Sequence, residues 1–309
     1  MKKLIFILIF HTNLLFAQEK LNFDSLSLQK YIKTCLDLNK TKPDSAIYCI
    51  DLAIENAAKI KNKRLLIQTK SVKADFLLLR KEYEKAYKLA EECVRESQQA
   101  SLKNYFFENI DLQREILKKS PDLGNELALL DKRLKYALEI KYDASVSRTF
   151  LEIGAHYYRK SAYTQAMENF QKSLEIAEKI NDKSLAASAY TNIGNIFGDE
   201  KDYEAAVKYY MKALEMKESS NEKRLIGTSY NNIGIAYKKL GKLENALEFY
   251  HKALMAYRQN NDKGGISRAY NNIGITYKDR KMYDSALFFY EKSLEIKKEL
   301  DDKLVWSIP

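Results

Sequence analysis

Four glycines stand forty residues apart in the second half of the sequence, and their surroundings keep the same interval. Gly154, Gly194, Gly234 and Gly274 close five-residue stretches reading FLEIG, YTNIG, YNNIG and YNNIG. Twelve residues beyond each lies an alanine (Ala166, Ala206, Ala246, Ala286), and four further on Phe170, Tyr210, Tyr250 and Tyr290. The small residues Ser173, Ala213, Ala253 and Ser293 follow in phase, each before a leucine. The turn-like sequences Asn181-Asp182-Lys183, Asn221-Glu222-Lys223, Asn261-Asp262-Lys263 and Asp301-Asp302-Lys303 keep it too. A phase held at so many sites is a tandem array. Apolar residues inside each unit recur every three or four positions, so each half is an amphipathic helix. The unit is helix A, a turn, helix B and a turn, each helix of about 16 residues and roughly 24 Å.

Composition agrees. With 3 Pro and 10 Gly, the chain of 309 residues has too few turn-formers for a sandwich or barrel of short strands. The phase runs backwards more faintly through Ala86, Ala74, Ala53 and Ala46, with Cys93 at the later small position. Seven pairs are expected, starting near Leu26, Lys63, Leu102, Ala144, Ser184, Lys223 and Gly264. The third is irregular: Ser120-Pro121 delays its helix B, and its connection to the next pair is expected to be about four residues short. A mid-helix glycine costs about 1 kcal/mol against alanine. Its recurrence in one phase therefore marks places where helix A approaches its paired helix B, near the matching alanines. Aromatics such as Tyr237 and Tyr250 are expected to fill space between pairs.

The order Tyr230, Ile233-Gly234, Tyr237, Ala246, Tyr250, and again Tyr270, Ile273-Gly274, Tyr277, Ala286, Tyr290, resembles the tetratricopeptide repeat signature. The units are longer than the usual 34 residues and lack the closing proline. In this they look like the repeats of kinesin light chains and of bacterial peptide-sensing regulators, with an extra turn expected in helix B. The resemblance is strong over 144–300 and weaker over 26–143. It implies an all-α fold, a right-handed α-solenoid of about seven antiparallel helix pairs, divided as signal segment 1–17, divergent repeats 18–143, regular repeats 144–300 and a remainder 301–309. It also implies a binding scaffold rather than an enzyme.

At the N-terminus, Lys2 and Lys3 precede the apolar run Leu4–Phe10, and Ala17 precedes the polar Gln18-Glu19. This reads as a signal peptide, placing the protein in the periplasm or outside the cell, with an uncleaved anchor as the alternative. No later stretch could span a bilayer. Removing 1–17 takes away two lysines and no acid, so the net charge falls from +10 to +8. That excess is scattered, without runs of five or six like charges, which argues against nucleic-acid binding. Outside the signal segment only His156 and His251 remain, ninety-five residues apart, each expected at the surface or in a groove. They form no metal site, and no GxSxG, GxGxxG or P-loop occurs. The expectation is no catalytic residue, no metal and no cofactor. Cys93 is expected as a buried thiol, whereas Cys35 and Cys49 lie at similar height either side of the first turn, leaving a disulfide open.

Asparagine is a poor helix-interior residue because its amide competes with the backbone. Yet Asn192, Asn232 and Asn272 precede the Ile-Gly pair in three consecutive units, Asn231 and Asn271 precede two of these, and Asn195 follows Gly194. In the kinesin light chains that this region resembles, matching asparagines line an inner groove and hydrogen-bond the main chain of an extended peptide. The alternative is that each Asn bonds a neighbouring helix A and sets the repeat spacing. Groove neighbours are expected to include Arg148, Arg159, Lys238, Arg268 and Lys278, with Thr228, Ile235 and Ile275, and Asp199 and Asp279 as minority acids. That balance suits an acidic or amphipathic peptide. The C-terminal sequence resumes the unit at Asp302–Trp306, so 301–309 is expected to begin an incomplete further helix or form a tail, with Trp306 packing over the last pair. A rival reading is the extracytoplasmic sensory region of a signal-transduction regulator, of kinase or transcription-regulator type, cut before its membrane helix.

Overall fold

The computed structural model describes residues 25–220 and 223–306. The expected signal segment 1–17, the turn residues Asn221 and Glu222, and the side chain of Trp306 lie outside what it describes. The described residues form fourteen α-helices and no strand. They pair as α1 (Ser25–Asn39) with α2 (Pro43–Lys59), α3 (Lys63–Leu79) with α4 (Tyr83–Gln99), and α5 (Lys103–Lys119) with α6 (Glu126–Glu139). Then come α7 (Asp143–Arg159) with α8 (Tyr163–Lys179), and α9 (Lys183–Asp199) with α10 (Tyr203–Ser219). The last are α11 (Lys223–Lys239) with α12 (Leu243–Gln259), and α13 (Lys263–Asp279) with α14 (Tyr283–Trp306). All seven starts fall within a residue of the sequence expectation. Two compact units divide between Leu129 and Leu130, inside α6. Across the later part of α6, Arg133 pairs with Glu152 of α7 at 3.0 Å, which ties that stretch to the second unit.

In the first two regular pairs helices A and B are each 17 residues long. Two expectations need correction. In the third pair the connection to α7 is the ordinary three residues. The shortening is taken from α6, which has 14 residues after a single 3-10 turn at Pro121–Leu123. At the far end, α14 does not break at Asp301 but runs on through Trp306.

Ten of the turns close by one device. After the C-cap residue, the next position is left-handed: Lys61, Lys81, Ser101, Lys141, Ser161, Asn181, Lys201, Gly241, Asn261 and Lys281, twenty residues apart or a multiple of twenty. The following N–H reaches back to a carbonyl five residues earlier, as Asp202 does to Phe197 at 2.9 Å, which satisfies an otherwise orphaned helix end. Only one of these ten residues is glycine, and left-handed backbone costs other residues roughly 1–2 kcal/mol. Lys201→Gly should therefore raise the unfolding free energy by about 1 kcal/mol, read as a higher urea midpoint at unchanged slope, and Gly241→Lys should lower it comparably.

Inside each regular pair the glycine row faces helix B, as the spacing requires. A Cβ at Gly154, Gly194, Gly234 or Gly274 would lie within 3 Å of the ring of Phe170, Tyr210, Tyr250 or Tyr290. Tyr250 thus fills the gap left by Gly234 in its own hairpin, while also packing with Ala269 and Ile273 of the next one. Beside this contact a second aromatic pair stacks in successive hairpins: Phe197 on Tyr209, Tyr237 on Phe249 and Tyr277 on Phe289, at 5.2, 5.4 and 5.4 Å. Between hairpins, Tyr190 donates to Glu178 and Tyr230 to Glu218. At the next junction Arg258 stands where the glutamate was, and it donates to the Tyr270 hydroxyl instead. Helix A of one pair also touches helix A of the next (α1 with α3, α3 with α5, α7 with α9, α11 with α13). Among the described residues, successive B helices make no comparable contact. The A helices thus run side by side as α1–α3–α5 in the first unit and as the pairs α7–α9 and α11–α13 in the second.

Candidate functional site: the A-helix face

The glycine turns one side of helix A onto helix B, so residues two and three positions before it point along the row of A helices. There Asn192, Asn232, Asn271 and Asn272 are half-buried and Asn231 is buried. The Asn192 amide donates to the Ser188 carbonyl one turn back, at 3.0 Å. Asn272 instead reaches across to the neighbouring A helix and donates to Asn231 Oδ1 at 2.9 Å. Of the two roles open from sequence, spacing between A helices is thus realised at this one pair. Asn195 accepts a hydrogen bond from the Tyr210 hydroxyl at 2.8 Å.

The basic residues named from sequence lie on the same helices. Arg148, Arg159, Arg268 and Lys278 are exposed, and Lys238 is half-buried with its ammonium 3.6 Å from Asp279. Arg268 lies 3.9 Å from Asp262 and over the Tyr257 ring. Ile235 is exposed and Ile275 half-buried between these charges. One cation escaped the sequence reading because it belongs to a B helix. Lys217 of α10 is buried, and its ammonium donates to Ser229 of α11 at 2.9 Å and to Thr191 of α9 at 3.4 Å, in the seam between two A helices. Its position in the repeat holds Ala177 and Tyr257 in the flanking pairs, which gave no warning of a charge. His156, expected at the surface or in a groove, is buried; His251 is exposed on α12, and partial burial lowers its pKa.

The aromatic that fills each glycine gap differs in what its hydroxyl finds. Tyr210 has Asn195, whereas Tyr250 has Ile235 at the corresponding place and its buried hydroxyl has no partner. Burial raises both phenols, Tyr210 to about 12, with the Asp199 charge as a lesser cause. Tyr210→Phe should cost about 1 kcal/mol, while Tyr250→Phe should be neutral or stabilising, because it removes an unsatisfied polar group. Parallel urea titrations of the two variants check this.

Paired helices stacked through an A–A seam define a helical-hairpin solenoid, the architecture of protein-binding scaffolds. The tetratricopeptide repeat family model matches residues 145–219 and 225–299. The chain is a tetratricopeptide repeat protein, and this family consists generally of non-catalytic scaffolds. No curated protein matches the sequence. Among solved structures, the apo form of RapI is 13% identical over 89% of this chain and 99% of its own, with a TM-score of 0.60. BtubC (BKLC) from P. vanneervenii is 18% identical over 89% and 90%, with a TM-score of 0.47. The likeness to RapI is one of fold. Among the described residues there is no group of three or more His, Cys, Asp or Glu placed to hold a metal, and no helix long and apolar enough to cross a membrane.

Proposed function

We propose that this protein is an exported, non-catalytic scaffold that binds an extended peptide or protein segment along the A-helix face of residues 143–279. The observation that carries the reading is the row of half-buried asparagines at one height on α9, α11 and α13. A side-chain amide offers a donor and an acceptor together, the pair an extended main chain needs, whatever its side chains. Asn232 and Asn271 make no side-chain hydrogen bond among the described residues, and Asn192 is engaged only with its own helix. The flanking Arg148, Arg268 and Lys278 favour peptides with acidic or amphipathic character over most of their length. Export is supported by the basic-then-apolar start of the sequence and by the Cys35–Cys49 disulfide, a bond that persists in oxidising compartments.

The test is a selection of random decapeptides displayed against the purified chain, followed by anisotropy titrations of the enriched peptides. The Asn192/Asn232/Asn272→Ala variant should weaken them by tenfold or more, roughly one main-chain hydrogen bond per asparagine. Unchanged affinities in a variant with unchanged circular dichroism would reduce the asparagines to spacing devices.

A further inference from the structure

The A-helix face is not uniform, and its departure lies between α7 and α9. Forty residues before Lys238 stands Gly198, and forty before that Tyr158. Unlike the four repeat glycines, Gly198 is not required by packing. A Cβ there would meet only the Tyr210 hydroxyl, at 3.7 Å, an ordinary contact. The glycine therefore leaves a notch in the row. Beside it the exposed Asp199 carboxylate accepts hydrogen bonds from Tyr158 at 2.5 Å and from Tyr163 at 3.4 Å, both through Oδ2. The two phenol rings lie 5.8 Å apart and tilted, next to the carboxylate. No Lys or Arg of the described residues comes within ion-pair distance of Asp199.

Two repeats along, the same geometry holds a cation. Asp279 stands eighty residues after Asp199, and Lys238 eighty after Tyr158; there the ammonium sits 3.6 Å from the carboxylate. The chain thus shows with its own side chain what an aspartate at this place on the A face takes. At Asp199 the corresponding side chain is the uncharged Tyr158, with Tyr163 beside it and no side chain at Gly198. Carboxylate and ring faces together attract an ammonium or guanidinium more than either does alone.

We infer that the notch formed by Gly198, Asp199, Tyr158 and Tyr163 is a subsite for a lysine or arginine side chain of the bound peptide. This deepens the groove reading and rests on it: within a mostly basic face, it fixes the register of the peptide by admitting a cation at one point only.

The test uses capped single residues with the exported chain (residues 18 onward), following the amide resonances of Gly198 and Asn195 by NMR. Nα-acetyl-lysine methylamide and its arginine counterpart should shift these resonances saturably, and the norleucine counterpart should not. Asp199→Asn should weaken the lysine probe by about tenfold. Tyr158→Lys, which recreates internally the Lys238–Asp279 arrangement, should block it. Equal shifts from norleucine or from the glutamate counterpart, or full lysine binding by Asp199→Asn or Tyr158→Lys, would overturn the assignment. A capped residue does not need the asparagine row, so the subsite and the groove fail separately. Loss of peptide affinity in the asparagine variant with no lysine effect would sink the subsite alone. Lysine binding with no asparagine effect would sink the groove alone.

Discussion

Gly234→Leu should destabilise the second unit by about 3 kcal/mol or more, seen as an early, broadened urea transition. The Cβ alone would lie 2.7 Å from the Tyr250 ring, and that ring cannot swing away because Tyr250 is fully buried against the next hairpin. The remaining leucine atoms would have to displace either the ring or the helix. Gly198→Ala is the matched control: its Cβ makes only an ordinary contact, so helix propensity dominates and the variant should gain about 0.5–1 kcal/mol. Trimming Tyr250 to leucine in the Gly234→Leu background should recover part of the loss. Because the two residues touch, the pair must be non-additive. Additive losses would mean that the glycine row does not set the spacing of the hairpins.

Removing the Cys35–Cys49 bond should cost about 3 kcal/mol, the value for a loop of this length, with the loss confined to the first unit. The bridge joins α1 to α2 across fourteen residues of sequence with Cα atoms 5.6 Å apart, and both cysteines are buried. This hairpin needs the staple more than its neighbours do. Its turn has no left-handed residue, unlike the ten turns that one closes. In a Cys35→Ala/Cys49→Ala variant, amide exchange should accelerate through α1 and α2 and stay unchanged in α7–α14. Uniform acceleration, or none, would contradict a local staple. Cys93 should not substitute as a partner, since burial pushes its thiol up to about 12 and leaves it inert.

The repeat architecture was legible because a stacked hairpin imposes the same demand every forty residues. Glycine opposite an aromatic ring, alanine at the crossing and apolar residues every third or fourth place appear in the order that packing requires. The turns were harder to read. Their left-handed residues are mostly lysine, serine or asparagine, and a hydrogen-bonded helix end tolerates these without announcing itself through glycine. Helix lengths in the third pair were misjudged because Pro121 fixes where the delay begins but not which element absorbs it. The disulfide stayed open because similar height on two helices says nothing of their rotation. In the candidate site, the asparagine row stood out as a repeated exception to helix propensity. Lys217 and the Gly198 notch did not, since each is a single break from the repeat and acquires meaning only when neighbouring A helices are brought side by side.

The most direct test of the account is amide hydrogen exchange of the chain, alone and saturated with its best selected peptide. Protection should concentrate on the A helices, over residues 192–199, 231–239 and 271–278, and leave α10 and α12 unchanged. Protection on the B helices, or none on the asparagine row, would place the binding surface elsewhere.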